Sequence, residues 1–339
     1  MILPFAPLLG LWAALQAPCP PPCPPPCLLP TDGPPRQPQQ QAQILPLLPN
    51  LRSEALRETV QALCGWPNRY YDGPNGRQAA HYLYQRMQGI GAHRPDIDVR
   101  LVDHGFAQPS VIATLRGEGP WAEERIVLGA HLDSINDSGL GPVAFRRAPG
   151  ADDDASGIAV LLEIFRVLVE AGYRPARTLE FMAYAGEEVG QLGSRQIAQA
   201  YTDQHIRVGA VLQLDMTMHS ADGSQAIYLI RDLVDPALTD FVGRLATQVL
   251  GFEVRSTRCG YTCSDHASWT AAGYPSAFPF ESSFRGINPR MHTAQDTLEH
   301  GLDVEFGRQF AELGLAFAVE LSALPPPDAG AATGGRSSD

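Results

Sequence analysis

Three consecutive aspartates stand at the centre of the chain, in PGADDDASG, where Asp152, Asp153 and Asp154 meet the start of a long apolar run. Two glutamates, Glu187 and Glu188, follow another apolar run in LEFMAYAGEEVG. Like charges this dense repel one another, and beside apolar sequence they are costly unless a cation neutralises them. A further carboxylate, Asp215, stands in QLDMT, and imidazoles stand at His131 in GAHLDS and His292 in NPRMHTAQDTL. Mixed nitrogen and oxygen donors suit zinc, and two such ions about 3.5–4 Å apart make a hydrolytic site. Taken singly, each residue has a plainer reading. His131 suits a hydrogen-bonded core histidine. The aspartates suit a helix N-terminus, where negative charge is favourable, and one of them together with Ser156 is expected to cap the helix in any case. Glu187 and Glu188 suit a solvated turn, and Asp215 a loop.

The elements around these residues give them a common position. Ile126 to Ala130 is a short, continuous apolar run, as expected of a strand buried on both faces, and it ends at His131. Thr178 to Ala185 and Ile206 to Leu214 are further strands, ending just before the glutamate pair and Asp215. Ligand sites of open α/β sheets lie at that carboxyl edge. Ala155 to Ala171 is apolar nearly all round and reads as a buried helix, so Asp153 reaches the same edge from its start. Leu51–Leu63 and Gly76–Ile90 have helical periodicity, with Ala80, Leu83, Tyr84 and Met87 on one face of the second, and a turn-rich WPNRYYDGPNG between them. Ile97–Val102 and Ser110–Leu115 alternate like paired strands. Ile227–Ile230 and Ser276–Phe280 read as short strands, Leu238–Leu250 as a helix, and Val304–Leu324 as a long amphipathic closing helix. Strands alternating with helices imply a mainly parallel sheet covered on both faces.

The chain of 339 residues, 44% hydrophobic and 18% charged, fits one α/β domain with flanking tails. A net charge of -12 argues against nucleic acid or an anionic membrane surface as partner. No apolar run reaches the roughly 20 residues of a membrane span. Residues 1–17, MILPFAPLLGLWAALQA, read as a signal peptide, although no basic residue precedes the apolar stretch. Residues 18–40, with CPPPCPPPC at their centre, read as a stiff linker or a propeptide. Cys19, Cys23 and Cys27 are open to crosslinking, lipid or metal, and a plain exposed linker is the preferred reading. Residues 41–325 form the catalytic domain and 326–339 a disordered tail. Cys64 reads as a buried thiol. Cys259 and Cys263 enclose only Gly260, Tyr261 and Thr262; in an exported protein a disulfide is preferred there over half of a zinc site.

GAHLDS, PGADDDASG, FMAYAGEEVG, QLDMT, CGYTCSDHASW, AAGYP, PFES and NPRMHTAQDTL occur in this order between about residues 45 and 322. In these motifs the chain closely resembles bacterial leucyl aminopeptidases of the co-catalytic zinc exopeptidase family. The resemblance implies a three-layer α/β/α fold with a mixed, mainly parallel central sheet. It implies two zinc ions per chain, one on His131 and Asp215, the other on Glu188 and His292, with Asp153 bridging them and beginning a cis peptide to Asp154. Glu187 would take a proton from the zinc-activated water and deliver it to the leaving amine. Tyr261 would donate to the developing oxyanion, and Asp133 would hold the far nitrogen of His131. The family has a disulfide matching Cys259–Cys263. Met216, Ile230, Phe278, Phe280, Phe284, Ile287 and Met291 would line the pocket for the N-terminal side chain, although ordinary core packing competes for Ile230. Such a pocket prefers Leu, Met or Phe and rejects charge, which would be desolvated. Phe278 and Ile287 stand where the family commonly has methionine and tyrosine, which bears on the ranking of substrates and not on their class. Coincidence of so many plain readings at family spacing is far less economical than one metal site.

The expectation is therefore a secreted or periplasmic, monomeric aminopeptidase acting on peptide N-termini, with no nucleic-acid or stable membrane partner. A zinc carboxypeptidase or a single-zinc glutaminyl cyclase on the same scaffold is the second reading. The first would want a cation for the substrate carboxylate, for which Arg285 or Arg290 is available. A catalytically dead binding domain is the third, and no ligand or base has been lost that would favour it.

Overall fold

The computed structural model describes residues 37–323. The signal-peptide and tail assignments, and most of the Pro/Cys-rich segment, lie outside those residues. From Gln39 the chain is tied to the body of the molecule, for the backbone amides of Gln39 and Gln40 donate to the Glu320 carboxylate at 2.6 and 2.8 Å.

In chain order the elements are α1 (Gln41–Ile44), α2 (Ser53–Cys64), α3 (Pro74–Gly91), β1 (Ile97–Val102), β2 (Ser110–Leu115), β3 (Glu124–His131), α4 (Ala155–Glu170), β4 (Thr178–Tyr184), α5 (Leu192–Asp203), β5 (Arg207–Gln213), β6 (Ile227–Ile230), α6 (Pro236–Arg244), β7 (Val254–Thr257), α7 (His266–Ala271), β8 (Ser276–Ala277), β9 (Pro279–Phe280) and α8 (Val304–Ser322). A six-stranded sheet runs β1-β2-β4-β3-β5-β8. Its β1/β2 and β2/β4 pairs are antiparallel and the remaining pairs parallel. A second, three-stranded sheet runs β7-β6-β9.

Strand side chains alternate between faces, so each buried strand feeds two cores. Val111, Ala113, Ile126, Leu128, Phe181 and Ala183 face a large core shared with α2, α3, α4 and α8. Their neighbours Ile112, Val127, Met182 and Tyr184 face a smaller one, closed by Ile197, Ala198 and Tyr201 of α5 and Trp269 of α7. The result is the three-layer α/β/α arrangement expected. Helix α4 comes very close to the end of β5: a Cβ at Gly157 would lie 2.2 Å from the Leu214 carbonyl and 2.4 Å from Asp154 Oδ1, so only glycine fits there.

Several local expectations need correction. Ser276–Phe280 is not one strand: Ser276 and Ala277 pair with β5, whereas Pro279 and Phe280 pair with β6 of the second sheet. The chain changes sheet at Phe278, whose carbonyl still accepts from Ile230 N at 3.0 Å. The helix over 238–250 starts earlier, at Pro236 behind the Asp235 cap, and turns into a π-helix over Leu245–Val249. Helices α5 and α7 and strand β7 carry weak sequence signals. Helix α5 starts from Gln191, in a left-handed conformation and without a side-chain cap, so the usual start signal is missing.

Candidate metal centre and active site

Helix α4 begins with the aspartate run, and each aspartate has its own task. Asp154 is the N-cap: its Oδ1 accepts from Gly157 N at 2.8 Å and from Met216 N at 3.2 Å, and its Oδ2 accepts from His131 N at 2.9 Å. It thus ties the ends of β3 and β5 to the helix. Ser156 joins it, donating to the Asp152 carbonyl and accepting from Thr217 N. Asp152 accepts from Asn288 Nδ2 at 2.8 Å and from Met218 N at 3.2 Å. That leaves Asp153 free to face the crevice, and the peptide bond between Asp153 and Asp154 is cis.

The two Asp153 oxygens point to different imidazoles. Oδ1 lies 2.9 Å from His131 Nε2, which is 3.6 Å from Asp215 Oδ1. Oδ2 lies 3.0 Å from His292 Nε2, which is 2.8 Å from Glu188 Oε2. Two groups of closely spaced donors result, His131–Asp153–Asp215 and Asp153–Glu188–His292, with Asp153 common to both. The donor set fits zinc. Its charge also calls for a cation: the chain contains no lysine. Among the described residues, the ion pairs of these carboxylates are with His131 and His292, none with arginine. Glu188 Oε1 is buried with no donor opposite it. Burial pushes the Glu188 carboxyl up to about 8 and Glu187 well above the usual carboxylate range, neighbouring carboxylates adding to both. A bound dication would reverse these shifts.

Around this core stand further supports, of which the sequence had singled out only Asp133. Asp133 stands 3.6 Å from His131 Nδ1, and its short bonds go elsewhere: Oδ1 accepts from Glu187 N at 2.9 Å and Oδ2 from Glu188 N at 3.1 Å. It fixes the glutamate turn against β3 more than it fixes the imidazole ring. Removing it by Asp133→Ala is therefore expected to weaken zinc about 10- to 100-fold, measured by competition with a chromogenic chelator. Unchanged affinity would sink that role. Ser264 donates to Asp215 Oδ2 at 2.5 Å, and Asp137 Oδ2 lies 3.2 Å from His292 Nδ1. Asp296 accepts from the amides of Asp152 and Asp153. Arg69, in the stretch read only as a turn, is fully buried; it donates to the carbonyls of Leu132 and Gly150 at 2.8 and 2.9 Å and to that of Pro149. One guanidinium so joins the loop after β3 to the loop before α4. Cys64 is half-buried, and burial pushes its thiol up to about 11.

Glu187, Glu188, Tyr261, Met216, Phe278, Phe280, Phe284, Ile287 and Met291 line one cavity of about 190 Å³ with His131, Asp153, Asp215 and His292. Ile230 is not on its wall; it is fully buried behind it, packed in the same cluster as Met216, Phe278 and Phe280. Cys259 and Cys263 form a disulfide, and Cys263 also lines the cavity. Tyr261, in the ring this closes, is 57% exposed. A larger cleft of about 550 Å³ lies elsewhere, over polar residues such as Arg125 and Glu180, and holds none of these groups. Arg125 and Glu180 pair with each other there at 3.1 Å.

The family model described as peptidase family M28 matches residues 110–318. Leucine aminopeptidase 1 of Coccidioides posadasii is 38% identical over 301 residues, which cover 85% of this chain and 76% of that protein. Among solved structures, LapB from Legionella pneumophila is 36% identical, with a TM-score of 0.78 over 85% of this chain and 77% of that one. The LapA aminopeptidase of the same organism is 32% identical, with a TM-score of 0.79 over 85% and 76%. Fold, site and relatives together define a zinc-dependent aminopeptidase. The chain belongs to peptidase family M28.

Proposed function

We propose that the protein removes large apolar residues from peptide N-termini, using two zinc ions and a glutamate general base. The observation that carries this reading is the forked placement of Asp153, each oxygen within 3.0 Å of a different histidine. His131 and Asp215 would hold one ion and Glu188 and His292 the other, with Asp153 facing both groups of donors. Bound zinc supplies Lewis-acid chemistry, polarising the scissile carbonyl and acidifying water. Glu187 would take a proton from the attacking water on its carboxylate as the water oxygen bonds to the carbonyl carbon, and hand that proton to the amine nitrogen as the C–N bond breaks. Tyr261 donates its hydroxyl hydrogen to the carbonyl oxygen as that atom gains charge. Phe278, Phe280, Phe284, Ile287, Met216 and Met291 make the cavity apolar, so a charged first side chain would be buried without a partner.

The protein is exported in this reading, and the Cys259–Cys263 disulfide supports it. Among the described residues no helix is long and apolar enough to cross a membrane. Hydrolysis of a leucyl amide reporter by zinc-loaded protein, run beside its N-acetylated twin, tests the activity. Cleavage of the free amine alone is expected, whereas equal cleavage of both, or of neither with zinc bound, would remove the aminopeptidase reading of this site.

A further inference from the structure

Gln191 sits at the first turn after the glutamate pair, 7% exposed, with φ of 57°. Its backbone amide donates to the Glu187 carbonyl at 2.8 Å, closing the turn. Its side-chain nitrogen Nε2 donates twice: to the Thr262 carbonyl at 2.6 Å and to Glu187 Oε1 at 3.3 Å. Both neighbours are acceptor oxygens, so only the NH2 end of the amide fits there. Among the described residues no other group donates to the Glu187 carboxylate. Thr262 belongs to the five-residue ring closed by Cys259–Cys263, which presents Tyr261. Asp232 grips the other shoulder of that ring, accepting from Cys259 N at 3.1 Å and from Gly260 N at 2.6 Å. Tyr261 itself is more than half exposed; the ring carries its backbone, and its side chain meets Phe284 edge-on, 5.9 Å between ring centroids.

We propose that Gln191 is a positioning residue that yokes the base to the oxyanion donor: one amide nitrogen, shared between Glu187 and the Thr262 carbonyl, sets the two reacting side chains in mutual register. The inference rests on the reading of Glu187 as base and Tyr261 as donor. Its physical content is that a carboxylate with two rotatable bonds beyond Cβ and a tyrosine on a surface loop gain one shared reference point. Misplacement of reacting groups by about 1 Å costs on the order of a hundredfold in rate. A lost hydrogen bond to a charged group corresponds to about 10- to 100-fold.

Gln191→Met keeps the length and removes the donor. With the free-amine leucyl reporter, kcat is expected to fall about 10- to 100-fold while KM stays within about twofold, since the apolar pocket is untouched. Zinc content should match the wild type, and the thermal midpoint should fall by no more than about 10 °C, leaving the variant folded at the assay temperature. In Glu187→Ala and in Tyr261→Phe backgrounds the same substitution should cost much less, because one of the yoked groups is gone. The proposal is overturned by a wild-type kcat in Gln191→Met, by an undiminished loss in both double variants, or by a loss that follows zinc content or unfolding. If Glu187→Ala alone keeps the wild-type rate, the assignment of the base falls and takes the yoke with it. If Glu187→Ala is crippled while Gln191→Met is not, the yoke alone falls.

Discussion

Glu187→Ala is expected to lower kcat by about 10²- to 10⁴-fold, the range for loss of a positioned general acid–base, with KM and zinc content little changed. Three observations support so large an effect. Glu187 lines the same cavity as the metal-ligand candidates. Its backbone is pinned by Asp133, so the turn survives truncation of the side chain. No other acidic group lining the cavity is free to replace it, since Glu188, Asp153 and Asp215 are each drawn to an imidazole. Single-turnover and steady-state rates, with zinc measured on the same samples, separate this role from a structural one. A variant that keeps a tenth of the wild-type rate would show that the proton passes through another group.

Zinc removal should abolish activity and lower the thermal midpoint. Saturation at a thousandfold over Kd stabilises by about 4 kcal/mol. At roughly 2–4 °C per kcal/mol, that is a shift on the order of 10 °C. The pH dependence has a definite sign. In metal-free protein, burial pushes Glu188 up to about 8 and Asp265 up to about 7. Unfolded carboxylic acids titrate near 3.9–4.3. The folded state therefore holds protons that the unfolded chain has lost, and this contribution declines as pH rises from about 4 to about 8. His292 adds in the same direction: burial opposes its charge, but hydrogen bonds to Asp153 and Glu188 push it up to about 12. Its stabilisation is complete below the ordinary imidazole pKa of about 6.5 and fades above that, through the folded value. Zinc needs the carboxylates ionised and the imidazoles neutral, so its stabilisation grows over the same interval. Scanning calorimetry at several pH values between 5 and 8, with and without zinc, should show the two midpoints diverging. A metal-free midpoint that rises with pH would contradict the burial of these groups.

Much of this was legible in the amino-acid order because it depends on local rules. A continuous apolar run announced β3, as expected of a strand buried on both faces, and largely apolar runs announced β4 and β5 although Glu180 and Gln213 lie within them. The residue following such a run lies at the sheet edge, which placed His131, the glutamate pair and Asp215 together before any coordinates. Charge density alone marked Asp152–Asp154 as needing a cap, a cation or both, and Asp154 indeed caps α4. The oxygen-by-oxygen division of labour was not legible. Whether Asp133 serves His131 or the amides of Glu187 and Glu188 depends on a difference of less than 1 Å between chain segments 54 residues apart. The change of sheet at Phe278 depends on which edge, β5 or β6, lies nearer, and so does the withdrawal of Ile230 behind the pocket wall. Arg69 and Gln191 carried no signal, because a buried guanidinium on carbonyls and an amide between two acceptors are defined by partners distant in the chain. The sequence by itself determined the donor types, the strand ends that bear them and the class of chemistry. Only the tertiary structure decided which donor meets which, because hydrogen bonds and metal geometry are set by ångström distances that no local periodicity encodes.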